Sequence, residues 1–183
     1  CFPVHIITRS DMVTRDFDLL EEIDRNAILP DDLKGLKHGT LITFSFSTLD
    51  HVIARIFEPG ATLPSDRLKA VYAAKTKGFK TGISMMPLLP FITDTEESLQ
   101  SMFAAFSAVP VDYIFPATIT LFGEGKADSK TLMMNAIQKH YPNLYPKYLK
   151  LFKSGYLPYT YKNEVDRRTQ LLGNQYGIQN FIF

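Results

Sequence analysis

The chain has 183 residues, of which 45% are hydrophobic and 21% are charged, an ordinary composition for a folded globular protein. Its formal net charge of +1 excludes a strong overall electrostatic attraction to nucleic acid or to a membrane surface. No apolar run reaches the roughly 18 residues that a membrane-spanning helix needs, so we expect no membrane partner. A single cysteine, Cys1, excludes an internal disulfide and favours a reducing, cytoplasmic location.

The chain opens on a strand-like run without an initiator methionine, and we interpret this start as a truncated or processed end. Further along, apolar strand-like runs alternate with helical patterns, which predicts an α/β fold with parallel strands. Strands are expected at residues 4–8, 41–48, 80–86 and 113–122. Helices are expected after Asp16, at residues 65–77, after Asp94 or Thr95, and at residues 129–141 and 163–176.

The first three helical patterns carry apolar stripes, which indicate faces that pack on the sheet. Gly78 stands where a C-cap glycine belongs, so it is expected to end the second helix. Asn163 is expected to cap the last helix. The residues expected to face inward are Leu19, Leu20 and Ile23 in the first helix, Leu68, Val71 and Tyr72 in the second, and Leu99, Met102, Phe103 and Phe106 in the third.

The second strand alternates large apolar residues with small hydroxyl residues. Ile42, Phe44 and Phe46 point to one side, and Thr43, Ser45 and Ser47 point to the other. In a parallel barrel the apolar side packs on the outer helices, and the hydroxyl side faces the lumen. A fully packed lumen is filled by bulky branched residues. Three hydroxyl residues in succession therefore indicate a lumen that holds something polar, with small core residues as the alternative.

Residues 58–94, EPGATLPSDRLKAVYAAKTKGFKTGISMMPLLPFITD, resemble the late βα units of the radical SAM barrel, in the spore photoproduct lyase-like branch. The ending RRTQLLGNQYGIQNFIF, residues 167–183, resembles the ending of the same branch. This resemblance implies the C-terminal portion of a partial (β/α)6 TIM-like barrel at residues 1–122. A C-terminal helical extension, residues 123–183, is then expected to pack on the barrel.

Three segments carry residues that the resemblance implies are SAM contacts. In PVHIITRS, Arg9 takes the position of the family's lysine at the barrel mouth, which contacts the SAM carboxylate. In TFSFSTLD, Ser45 or else Ser47 is equivalent to a hydroxyl that contacts the methionyl or ribose part. The third segment is TGISMMP, residues 81–87, and the resemblance implies that it lies along the adenine. Its expected contacts are Gly82, Ser84 and Met86, with Met85 as an alternative to Met86.

For the complete protein the resemblance implies radical SAM chemistry, in which a reduced 4Fe–4S cluster cleaves S-adenosyl-L-methionine and a hydrogen atom is abstracted from the substrate. The branch includes a DNA-repair lyase. The family's CxxxCxxC cluster motif is absent, and Cys1 alone cannot hold a cluster. We therefore expect this chain to bind neither cofactor by itself, to be inactive alone, and to partner a missing N-terminal half of the barrel. No catalytic residue and no metal ligand is identified.

Other partners and functions are also compatible with the sequence. Exposed edges of a half barrel favour pairing, so a homodimer is one expectation. Residues 147–162, KYLKLFKSGYLPYTYK, mix lysines with aromatic residues, a pattern that suits a non-catalytic nucleic-acid-binding module. The alternative is a helix with Tyr148, Leu149 and Phe152 buried and the lysines in water. A (β/α)-barrel enzyme of other chemistry is a further alternative, although no acidic residue stands at the expected strand ends.

Overall fold

The computed structural model describes residues 1–182, except for the side chain of Leu36. Phe183, the last residue of the family-like ending, lies outside the described residues. Four strands form one parallel sheet in the order β1-β2-β3-β4, which confirms the predicted α/β fold. The strands are β1 (Val4–Thr8), β2 (Thr40–Ser45), β3 (Lys80–Leu88) and β4 (Tyr113–Thr118).

Seven α-helices within residues 1–182 connect and flank these strands. They are α1 (Phe17–Asn26), α2 (His51–Phe57), α3 (Pro64–Thr76), α4 (Glu96–Ala108), α5 (Ser129–His140), α6 (Tyr145–Leu151) and α7 (Tyr159–Tyr176). Short 3-10 turns lie at Asp11–Asp16, Lys34–Leu36 and Pro142–Leu144. The first four helices lie in the crossovers that parallel strands require, and α5, α6 and α7 follow the last strand.

Local chemistry sets the helix ends that frame the second crossover. At the start of α2, Asp50 Oδ1 accepts the backbone N–H groups of Val52 at 2.6 Å and Ile53 at 3.1 Å. After α3, Gly78 adopts a left-handed backbone with φ +89°, as expected for a C-cap glycine. The Phe79 N–H then donates to the Ala74 carbonyl at 3.2 Å. These ends place β3 directly beside β2.

One face of the sheet is packed on helices. Ile42, Phe44 and Phe46 are fully buried in the main core, together with residues of α3 and α4. The rings of Phe46 and Phe106 are 5.2 Å apart. The predicted apolar side of β2 is therefore confirmed.

The opposite face is exposed at the edge strands β1 and β4 but buried at its centre, where Thr43, Ser45 and Ser84 lie; we call it the open face. Strand register places Ser45, Ser84 and Phe115 side by side on it. Ile7 is 63% exposed and Phe115 is 46% exposed there. Parallel sheets are normally covered on both faces. An open parallel face agrees with a partial barrel, while closure into a (β/α)6 barrel stays a prediction.

For two residues the prediction that they face inward is wrong. Leu19 in α1 and Tyr72 in α3 are exposed. In α1 the buried stripe begins at Phe17, whose ring lies 5.2 Å from that of Phe79, and it continues at Leu20. In α3 the buried stripe runs through Val71, so the adjacent Tyr72 is turned toward solvent.

Three predicted boundaries are also wrong. β2 ends at Ser45 rather than at residue 48, because the Ser47 N–H donates to a glutamate side chain. β4 ends at Thr118 rather than at residue 122, because the chain then turns toward the C-terminal region, where Leu121 N–H donates to the Gly155 carbonyl at 3.2 Å. Asn163 does not cap α7, which already begins at Tyr159.

The region after β4 packs on the sheet in two ways. A second cluster joins Leu89, Ile92 and Leu121 to residues of α5 and α6. Farther along, α7 and the tail enter the main core through Val165, Leu172 and Ile178, and Gln179 forms a parallel bridge to Tyr113 at the edge of β4. Residues 123–182 therefore share both clusters with the first 122 residues. Tyr148 and Phe152 are buried as predicted, whereas Leu149 is exposed.

Candidate functional site

The predicted SAM contacts gather at the carboxyl ends of β1, β2 and β3. Ser45 and Ser84 lie side by side, in register, on the open face. Neither hydroxyl makes a hydrogen bond to the described residues, so both keep their polar capacity for a ligand. Arg9 follows β1, and its Nη2 donates to the Met86 carbonyl at 2.7 Å. The fold therefore brings Arg9, Ser45, Ser84 and Met86 to one end of the sheet.

Gly82 lies lower on the open face, beneath an aromatic ring. A Cβ atom on Gly82 would meet the Tyr113 ring at 2.0 Å. The close approach that glycine permits is thus used by Tyr113, which is fully buried. The ring of Tyr113 therefore covers Gly82.

Tyr113 ends a hydrogen-bonded chain that sequence reasoning missed. Its hydroxyl is 2.6 Å from Thr43 Oγ1, and that oxygen is 2.6 Å from His5 Nε2. Burial raises the pKa of the Tyr113 phenol and lowers the pKa of the His5 imidazole, so both are neutral near pH 7. The three residues lie on β1, β2 and β4, and the ring of Tyr113 crosses Gly82 of β3 to reach Thr43, so only the register brings them together.

A buried carboxylate organises the upper end of the site. Glu58 Oε1 accepts the Ser47 N–H at 3.0 Å and also the Ser47 hydroxyl. Its Oε2 accepts from Arg67 Nη2, and Arg9 Nη1 lies 3.6 Å from Oε1. Glu58 therefore pairs with both Arg9 and Arg67. Ser47 is occupied by Glu58, which leaves Ser45 as the serine of that pair whose hydroxyl is unengaged.

Arg67 is fully buried, which is unusual for an arginine. Its Nη1 donates to the Ser45 carbonyl, and its guanidinium lies 4.8 Å from the centre of the Phe46 ring. Burial lowers the pKa of Arg67, and the neighbouring Glu58 acts in the opposite direction. An arginine remains protonated at any physiological pH. The sequence signal was weak, since Arg67 reads as one more charge on a helix.

The loop after β3 is fixed by α7. Asp94, predicted as a possible helix cap, instead accepts the Phe91 N–H at 2.7 Å and the Tyr161 hydroxyl at 2.6 Å. Thr95 caps α4. Arg168 donates to the Asp94 carbonyl at 2.7 Å. Burial raises the pKa of Asp94 and that of Tyr161. Through these contacts α7 holds the loop at residues 91–94, which follows the end of β3.

The described residues do not fit an iron–sulfur cluster. No group of three or more His, Cys, Asp or Glu side chains that suits a metal ion occurs within the described part of the chain. Cys1 is exposed and has no second thiol beside it. Among the helices of residues 1–182, none combines the length and the apolarity needed to cross a membrane.

Comparison with known proteins gives distant relatives. No protein-family profile matches the chain, and no solved structure matches it. An uncharacterized protein of Acidianus two-tailed virus, ORF301, is 32% identical over 113 residues, which are 60% of this chain and 33% of the viral protein. The uncharacterized Mycobacterium tuberculosis protein Rv2578c is 23% identical over 178 residues, 96% of this chain and 48% of that protein. The chain thus spans about half the length of the mycobacterial relative and a third of the viral one.

Proposed function

We propose that this chain is the distal, SAM-binding part of a radical SAM enzyme of the spore photoproduct lyase-like branch. The observation that carries the proposal is the grouping of Arg9 with two unengaged serine hydroxyls, Ser45 and Ser84, at the carboxyl end of an open parallel sheet. Ligands of α/β sheets bind at this end of the strands. The resemblance of residues 58–94 to that family implies that this ligand is SAM.

The residues present suit part of SAM. Arg9 has a side chain that is 39% exposed, and a guanidinium binds a carboxylate with two hydrogen bonds. Ser45 and Ser84 offer hydroxyls to the polar part of the ligand, and Met86 offers an exposed apolar side chain beside them. With a reduced 4Fe–4S cluster, bound SAM supplies the radical chemistry in such enzymes. This chain's role is to hold and orient the ligand and to exclude water from one side of it.

The cluster ligands, the substrate and the other strands belong to a further part of the protein in this proposal. The open face and the free edge of β1 are where that part packs. The mycobacterial relative is about twice as long as the region it shares with this chain, which leaves room for it there. The isolated chain is accordingly expected to cleave no SAM, even after reconstitution with iron and sulfide.

Calorimetric titration with SAM tests the ligand assignment. The sequence predicts no cofactor bound to the isolated chain. Because the folded chain already groups Arg9 with Ser45 and Ser84, we instead expect weak binding of SAM by the wild-type chain, and we expect that binding to be lost in Arg9→Met. Arg25→Met is the matched control, because Arg25 is an exposed arginine on α1 whose Nε donates to the Glu21 carbonyl of the same helix. Equal affinity in wild type and Arg9→Met, or equal loss in both variants, would contradict the assignment.

A second candidate function is single-stranded nucleic-acid binding, as in a DNA-repair enzyme. Phe122 and Tyr156 are both exposed and meet edge to face, with ring centres 6.1 Å apart. Lys147 Nζ lies 5.3 Å from the centre of the Phe91 ring. Exposed aromatics beside lysines suit base stacking with phosphate contacts. Salt-dependent binding of an oligonucleotide that is lost when Lys147, Lys150 and Lys153 are changed to Gln would support it.

A further inference from the structure

The ion network at the carboxyl end of the strands is unbalanced in charge. Two guanidinium groups, those of Arg9 and Arg67, converge on the single carboxylate of Glu58. Glu58 is buried, and Arg67 has no exposed surface. The group of three side chains therefore carries a net positive charge, held in a place where solvent screens it poorly.

The neighbouring acidic groups do not cancel this charge. Asp11 is the nearest in sequence to Arg9, and its Oδ1 accepts a hydrogen bond from Thr62 Oγ1 at 2.9 Å. It forms no ion pair with either arginine among the described residues. Asp50 is engaged in capping α2. Within residues 1–182, Glu58 is the only carboxylate that pairs with Arg9 or Arg67.

The two arginines do not contact the Glu58 carboxylate equally closely. Arg67 is directly hydrogen-bonded to Glu58 Oε2, whereas Arg9 Nη1 is 3.6 Å from Oε1, beyond a normal hydrogen bond. Oε1 is instead occupied by Ser47, through its N–H and its hydroxyl. Arg67 thus takes up most of the negative charge, and Arg9 keeps an excess of positive charge at the exposed end of the network.

We propose that Arg67 is a positioning residue that sets the charge of the site, so that Arg9 selects an anionic group on the ligand. Arg67 touches no ligand; it acts by engaging Glu58, which would otherwise neutralise Arg9. The identity of the anion as the SAM carboxylate rests on the proposed function. The charge assignment does not, since any compact anion such as sulfate meets the same excess charge.

Two substitutions of Arg67 separate charge from packing. Arg67→Lys keeps the positive charge and loses the planar guanidinium, whereas Arg67→Met loses the charge and keeps a flexible side chain over Phe46. Affinity for sulfate, and separately for SAM, is measured by titration that follows the Arg9 side-chain resonances by NMR. Circular dichroism checks that each variant is folded, and Arg67→Gln replaces the Met variant if that variant does not fold.

We expect Arg67→Lys to bind sulfate within about threefold of wild type, and Arg67→Met to bind at least tenfold more weakly, the order of effect of one charge a few ångströms away near a surface. Equal affinities in the Lys and Met variants, whether near wild type or lost, would overturn the inference. It would also fail if sulfate left the Arg9 resonances of the wild-type chain unshifted. Sulfate binding with the expected Lys–Met difference, but no SAM binding, would sustain the charge assignment and reject the SAM proposal.

Discussion

The buried pair of Glu58 and Arg67 should dominate the stability of this end of the sheet, and Glu58→Gln tests it. The substitution keeps the size of the side chain and removes its charge, which leaves the guanidinium of a fully buried Arg67 without a counter-ion. Removing one partner of a buried pair typically costs about 3–5 kcal/mol. That is a large part of the roughly 5–15 kcal/mol of free energy that holds a typical domain folded.

Urea unfolding followed by circular dichroism measures the change. With an m-value of about 2 kcal/mol/M, the midpoint should fall by roughly 2 M. Glu164→Gln is the matched control, because Glu164 pairs with Arg167 at 2.8 Å on the exposed side of α7, and its midpoint should stay close to that of wild type. If the two variants unfolded at the same urea concentration, the buried network would not be a stabilising centre.

The other predictions concern the open face. Gly82→Ala should destabilise the chain by about 1–3 kcal/mol, because the added Cβ meets a tyrosine ring at 2.0 Å. Gly35→Ala should unfold like wild type, because among the described residues no atom beyond its chain neighbours lies within 4 Å of the added Cβ. His5 has a pKa lowered below 6.5 in the folded chain, so its contribution to stability is present above pH 6.5 and is lost as the pH falls through the folded value. Unfolding curves from pH 5 to 7.5 should therefore show a rise in stability that is smaller in His5→Gln, and an equal rise would contradict the assignment. If the β1 edge pairs two copies, light scattering should report a dimer that Ile7→Lys converts to a monomer, while a wild-type monomer would refute pairing.

The alternation of β2 was predictable because it depends only on neighbours along the strand. Phe44 and Ser45 must point to opposite sides once a strand forms, and the helices were bound to cover the apolar side. The phase of a helical stripe is harder to predict. Leu19 and Tyr72 came out exposed because the stripe is set by where each helix begins and by what packs on it, as Phe79 does on Phe17.

The organisation of the site was predictable only in part. Arg9, Ser45 and Ser84 follow from the strand ends and from the family resemblance. The role of Arg67 depends on contacts across 9 residues to Glu58 and 22 residues to Ser45, which no local pattern encodes. The hydrogen-bonded chain from His5 to Tyr113 likewise exists only after all four strands are in register.

The most direct test of the central proposal is to purify the product of the uninterrupted gene without oxygen, and to measure its mass together with its iron and sulfide content. We predict a polypeptide longer than 183 residues that carries about four irons and four sulfides, and that cleaves SAM when reduced. A product of this length that contains no iron would contradict the proposal, and the SAM contacts assigned to Arg9, Ser45 and Ser84 would fall with it.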